Sequence, residues 1–155
     1  MTSASKKQMP TILNRKLSHN YFIGEKFEAG IALLGTEVKS LRAGNARIEE
    51  SFVRINRRGM PVLSNAYIRD YSFGNINNHD PVRDRFLLLK RREIDNIRGA
   101  IERKGESVFA VKIYFKQGLA KVEIAICKSK KLFDKRQELK KKAEIRDLER
   151  DFKRR

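Results

Sequence analysis

SVFAVKIYFKQGLAKVEIAICK, residues 107–128, is the stretch whose reading decides the fold. Apolar residues alternate on both sides of Gln117-Gly118. Phe109, Val111, Ile113 and Phe115 share one face on the way out, and Val122, Ile124 and Ile126 answer on the return. A period of two predicts strands with one buried face, and the turn between them makes the pair a hairpin. The opposite face carries Lys112, Tyr114 and Lys121, two cations and an aromatic turned to solvent or a ligand.

Upstream of this hairpin, residues 21–34 (YFIGEKFEAGIALL) read as a long strand interrupted by Gly24 and Gly30, bends of the kind a barrel corner needs. Gly35 and Thr36 open a short helix with Glu37 in its first turn, Arg42 in its last, Gly44 as its stop, and Val38 and Leu41 on its inner face. Residues 47–55 and 60–67 read as two strands joined across Asn56-Arg57-Arg58-Gly59. A polar loop, SFGNINNHDPVRD (72–84), leads to a short buried strand at 85–89. Residues 90–104 read as a helix with Ile94, Ile97 and Ile101 on one side and Gly105 as its cap. Short strands with two helices in a chain of 155 residues predict one mainly β domain, a small antiparallel barrel, closed or partly open.

The charge points to the partner. The chain carries 36 Lys+Arg against 19 Asp+Glu, a net +17. Residues 128–155 (KSKKLFDKRQELKKKAEIRDLERDFKRR) alone hold 13 against 6, leaving +10 on the rest. A polycationic arm on a folded body implies a polyanion, most simply nucleic acid. On a helical wheel Leu132, Leu139 and Ala143 cluster, while Ile145, Leu148 and Phe152 cluster nearly opposite, so the arm has no single apolar stripe. We therefore expect it to be disordered when free and helical against its partner. The resulting division is a flexible leader at 1–13, a β body at 14–128 and a basic tail at 129–155.

Other classes are excluded or disfavoured. No apolar run reaches the length of a membrane span, and MTSASKKQMPTILNRK lacks the apolar core of a signal peptide. The expectation is a cytoplasmic protein without membrane contact. A single cysteine, Cys127, excludes an internal disulfide, and with only His19 and His79 beside it no metal site or cofactor is expected. Cys127 reads as a quiet thiol, there is no phosphate-binding glycine motif, and no catalytic constellation emerges.

Four segments carry a resemblance: HNYFIGEKFEAGIAL (19–33), GTEVKSLRAG (35–44), HDPVRDRFLLLKRREID (79–95) and KVEIAICKSKKLFDKR (121–136). They are similar to the tmRNA-binding family, small protein B. The resemblance implies a non-enzymatic protein with an oligonucleotide-binding-like β-barrel and flanking helices. It implies binding to the tRNA-like domain of tmRNA and delivery of the alanyl-charged RNA, with elongation factor Tu and GTP, to stalled ribosomes. The tail would enter the small-subunit decoding region and the empty mRNA channel, becoming helical, and the nascent chain would be tagged for proteolysis. By motif position, the RNA-gripping residues fall on Asn14, Glu28, Leu88 and Lys121, and the decoding motif on Asp134, Lys135 and Arg136. Ser129 stands where the family often has glycine, and Phe133 where it often has histidine or tyrosine.

The chemistry of these residues admits more than one reading. Lys121 neutralises a phosphate or is an ordinary surface lysine. Asn14 reads a base edge or a 2′-hydroxyl, or else caps a turn. Glu28 accepts from a base amino group, holds an arginine, or forms a surface ion pair. Leu88 is expected to support the surface from within the barrel wall. Arg83 and Arg85 are candidate phosphate contacts, with pairing to Asp80 or Asp84 as the alternative. Lys112 and Tyr114 are further candidate contacts. Lys128, Lys130, Lys131, Lys135 and Arg136 form the dense base of the arm, and Phe133 among them favours base stacking over mere solubility. A free monomer is expected. The rival reading is a basic ribosomal or ribosome-assembly protein with an rRNA-embedded tail.

Overall fold

The computed structural model describes residues 9–74 and 78–154. Nine strands and four helices follow one another as β1 (Ile12–Leu13), α1 (Leu17–Asn20), β2 (Tyr21–Ile31), α2 (Gly35–Arg42), β3 (Ala46–Arg47), β4 (Phe52–Ile55), β5 (Pro61–Ser64), β6 (Tyr67–Ile68), β7 (Arg85–Leu88), α3 (Arg91–Glu102), β8 (Glu106–Lys116), β9 (Leu119–Ser129) and α4 (Leu132–Lys153). Seven strands form one antiparallel sheet in the order β1-β8-β9-β2-β7-β5-β4, and β3 pairs with β6 separately.

The sheet curls far enough to bring β4 against β8. No hydrogen-bonded ladder joins β4 to β8 among the described residues, so the structure is an incomplete barrel rather than a closed one. The expected long strands at 47–55 and 60–67 are each broken in two. Asn65, with φ of 61°, turns the second, and the β3–β6 ribbon separates from the β4–β5 pair. Ile12 and Leu13, placed by sequence in the leader, form the edge strand β1 on β8. Residues 1–8 of that leader and 75–77 of the polar loop lie outside the described residues.

The hairpin forms as expected, with Gln117 and Gly118 both at positive φ (52° and 78°), the geometry of a tight primed turn. Its facing differs in one respect. A β-bulge between Ala110 and Lys112 shifts the phase of β8. Val108, Ala110 and Ile113 enter the main core with Val122 and Ile124, whereas Phe109 and Val111 pack on the other face with Leu17, Tyr21, Ile23, Ala125 and Cys127. Tyr21 and Phe109 meet there with ring centroids 4.5 Å apart. The bulge also turns Lys112 and Tyr114 outward, since an uninterrupted alternation from the buried Ala110 would send both inside.

A second bulge between Ile23 and Lys26 bends β2 at Gly24, where a Cβ would lie 2.8 Å from the Ile126 carbonyl oxygen. Helix α3 covers the core through Ile97 and Ala100; Ile101, expected on that side, remains at the surface. Helix α4 has no buried residue, and Leu132, Leu139, Ile145, Leu148 and Phe152 are all exposed. Residues 132–153 form one helix, and the expected disorder of the free arm is not shown.

Candidate nucleic-acid interface

One row of residues crosses four strands. Tyr114 on β8 is opposite Lys121 on β9, Lys121 is opposite Gly30 on β2, and Gly30 is opposite Leu88 on β7. Gly30 has no side chain to separate its neighbours. A Cβ there would stand 3.2 Å from the Leu88 Cβ, so Leu88 leans over the bare backbone of β2. Leu88 is 63% exposed, which corrects the expectation that it supports the surface from within. It presents an apolar patch beside the Lys121 cation. Glu28, Gly30, Leu88, Lys90 and Lys121 line one open groove.

Glu28 lies one row along, opposite Glu123. It accepts a hydrogen bond from the Tyr114 hydroxyl and is 3.4 Å from the Lys116 ammonium. The Tyr114 bond, with the Lys116 and Lys121 charges, holds the carboxyl below its ordinary range although desolvation works against it. Burial and the Glu28 carboxylate push the Tyr114 phenol up to about 12. Lys112 sits 5.3 Å from the Tyr114 ring centroid and 3.9 Å from Glu123. The face thus combines Lys112, Lys116 and Lys121 with an aromatic whose hydroxyl is tied down, a surface able to meet phosphate, sugar and base at once.

Asn14 is not on this face. Its backbone N–H donates to Val111 O at 2.9 Å and its amide donates to Ala110 O at 2.9 Å, so both bonds grip the β8 bulge. Its Oδ1 is buried and has no partner among the described residues. Arg85 is also removed from the candidate contacts. It is fully buried, paired with Glu37, and it donates to the carbonyls of Ala66 (2.7 Å) and Pro81 (3.2 Å). Arg83 reaches the same carboxylate, with Nε 3.0 Å from Glu37 Oε1. The structural alternative holds for both arginines, but with Glu37 in place of the Asp80 or Asp84 carboxylate; Asp84 pairs with Arg54. Glu37, read as a helix-dipole residue, is the buried hub of α2, β7 and the loop between β6 and β7. Sequence offered no signal for it beyond a carboxylate in a first helical turn.

At the root of the arm the basic residues divide. Lys130 is buried: its ammonium donates to Ser18 O at 2.8 Å and to Glu138 on α4, and lies 4.9 Å from the Phe22 ring centroid. It is a structural anchor and is not open to phosphate. Lys128 is exposed, 3.8 Å from Glu106. Lys131, Phe133 and Arg136 are exposed, and Lys135 is half-buried. Asp134 accepts from the Lys131 backbone N–H at 3.4 Å, capping the first turn of α4.

The family model for SmpB protein matches residues 11–154. The chain belongs to the SmpB family. Similar SmpB relatives, described as SsrA-binding proteins, include that of Pelobacter propionicus, 52% identical over 87% of this chain and 88% of its own length. Those of Geobacter sulfurreducens (51%, with 87% and 88% covered) and Caldanaerobacter subterraneus (49%, with 90% and 88% covered) are comparable. A solved structure described as "tmRNA-SmpB: a journey to the center of the bacterial ribosome" contains a chain with a TM-score of 0.67 and 45% identity, matching 79% of this chain and 86% of that one. The SmpB fold of that chain accords with the sheet and flanking helices found here. Cys127, buried on β9, has its thiol pushed up to about 11 by burial, the state of an inert side chain. No helix among the described residues is long and apolar enough to cross a membrane.

Proposed function

We propose that this chain is a non-catalytic adaptor that binds the tRNA-like domain of tmRNA, the SsrA RNA, and brings it to stalled ribosomes in trans-translation. The observation that carries this reading is the alignment of Lys121, Tyr114 and Leu88 across neighbouring strands, with Glu28 and Lys112 beside them, in a chain about half identical to SsrA-binding proteins. Lys112 and Lys121 meet phosphates, Leu88 and the Tyr114 ring offer apolar contact to sugar and base, and Glu28 fixes the Tyr114 hydroxyl. The exposed Lys131, Phe133 and Arg136 of the arm, with the half-buried Lys135, enter the decoding region and the vacant mRNA channel, and Asp134 keeps the helix start intact. Delivery proceeds with elongation factor Tu and GTP through the charged RNA, in the cytoplasm, and the free protein is a monomer.

The test is binding of the transcribed tRNA-like domain by the full chain and by Lys121→Ala. The variant is expected to bind roughly tenfold more weakly, with the log–log salt slope reduced by about one phosphate contact. Unchanged affinity and slope would remove Lys121 from the interface. Sequencing the RNA that co-purifies with the protein separates this reading from a ribosomal or assembly protein: a dominant tmRNA species supports it, and bulk rRNA opposes it.

A further inference from the structure

We propose a second nucleotide-binding site, distinct from the Glu28–Lys121 face, built from Phe73, Tyr71 and Lys39. A lone exposed apolar side chain needs no explanation. Phe73 differs because its turn is locked in place around it. Asn78 donates to Tyr71 O at 2.7 Å and Gly74 O at 3.2 Å and accepts from Tyr71 N–H at 3.1 Å. Gly74 N–H closes the turn onto Tyr71 O at 2.9 Å. A Cβ on Gly74 would stand 2.8 Å from the Asn78 amide, so a larger residue there would have to displace that side chain. The return of the loop is fixed by His79, hydrogen-bonded to Thr36 Oγ1 at 2.8 Å and to Ile68 O at 2.9 Å. Yet Phe73 is left 81% exposed. An ordered turn therefore displays an aromatic ring that burial would otherwise claim.

Its surroundings select the ligand. The Tyr71 and Phe73 rings meet edge to face with centroids 5.5 Å apart, which leaves faces free for stacking. The Lys39 ammonium lies 5.2 Å from the Tyr71 centroid, and Arg42 follows on the next turn of the same exposed helix face. The neighbouring β3–β6 ribbon repeats the pairing: Arg47 lies 5.0 Å from the Tyr67 centroid, and Arg69 lines the same groove. Along residues 67–73 the one carboxylate is Asp70. Aromatic faces flanked by cations match an unpaired nucleotide, its base on Phe73 and its phosphate at Lys39. The RNA that supplies it is either an unpaired position of tmRNA or one of rRNA.

The experiment measures affinities of the full chain and of Phe73→Ala, Phe73→Trp and Lys39→Gln for three probes: the transcribed tRNA-like domain, protein-free small-subunit rRNA, and whole vacant small subunits. Phe73→Ala is expected to weaken at least one of the two RNA probes by about 5- to 150-fold, the value of one stacked base. Phe73→Trp should retain the affinity, Lys39→Gln should lower it less and flatten its salt dependence, and the responding probe names the source. Three outcomes overturn the proposal: no change with either RNA, a loss that tryptophan does not recover, or a loss confined to whole subunits, which would indicate a ribosomal protein. The proposal stands apart from the Glu28–Lys121 reading, because Lys121→Ala could leave the tRNA-like domain unaffected while Phe73→Ala still lost rRNA.

Discussion

Glu37 shows how one side chain organises the fold around the sheet face. Burial alone would raise its pKa, but the Arg83 guanidinium, the Leu34 N–H and the Arg85 guanidinium outweigh that and hold it below the usual carboxylate range. Removing the charge leaves Arg85 buried and uncompensated. Glu37→Gln is therefore expected to cost about 3–5 kcal/mol in urea unfolding at pH 7. A folded-state pKa below the unfolded value gives stability that is present above the unfolded pKa, near 4.5, and is lost as pH falls through the folded value. Wild-type stability should thus fall more steeply than that of Glu37→Gln below about pH 4.5, as measured by urea titration across pH. Asn14 acts at the same scale. Its hydrogen bonds hold the bulge that turns Lys112 and Tyr114 outward. Asn14→Ala is expected to lose about 1–3 kcal/mol, since it leaves the Ala110 carbonyl short of a donor. It should also weaken RNA binding through a displaced β8, visible as amide shift changes at residues 110–114 in the free protein. Shifts confined to residue 14 and its sequence neighbours would return Asn14 to direct RNA contact.

Elements differ in how far sequence reveals them. The hairpin and α3 were legible because their apolar periods run the length of the element, and α2 because Glu37, Arg42 and Gly44 mark its ends. The bulge at Val111 was not, because valine suits either face and the second cluster under α1 supplies an apolar home for the side chains it diverts. In β7 the alternation permits either Arg85 and Leu87 or Phe86 and Leu88 inside; composition favours the second, and the distant Glu37 decides for the first. The same reversal exposes Leu88 and completes the candidate face. Lys130 was equally hidden, since a charge run gives no hint that one member turns inward toward Ser18 and Phe22. It is the side chain that ties α4 to the body, through Glu138, whose pKa that bond lowers. An exposed helix without packed residues is marginal in water, so the anchor matters most for the first turns. Lys130→Ala should abolish hydrogen-exchange protection over residues 135–139 and leave β8 and β9 protected. Persistent protection there would mean that something other than Lys130 orders the helix start.

At the scale of the whole molecule, the two working parts share one strand. β9 carries Lys121 in the candidate face and ends at Ser129, where the arm begins. From Lys121 to Ser129 the strand spans roughly 26 Å at the usual rise, and paired β2 and β8 on either side stiffen it. The 22-residue α4 adds about 33 Å of reach when fully helical. The distance between the candidate face and the arm root is thus set by sheet geometry, and Lys130 anchors the arm's first turns. Such a layout is expected to make the two proposed functions separable. Truncation after Lys131 removes α4 but leaves the Lys112, Tyr114, Lys121 and Leu88 face intact, so affinity for the tRNA-like domain at physiological salt should stay within about tenfold, the share of long-range attraction that a basic arm contributes. Peptide tagging on ribosomes stalled without a stop codon should fall to background in the same variant, and also in the full-length protein with Asp134, Lys135 and Arg136 all replaced by alanine. If truncation removes RNA binding as completely as tagging, the arm is part of the primary grip, and the strand-spanning division of labour is wrong.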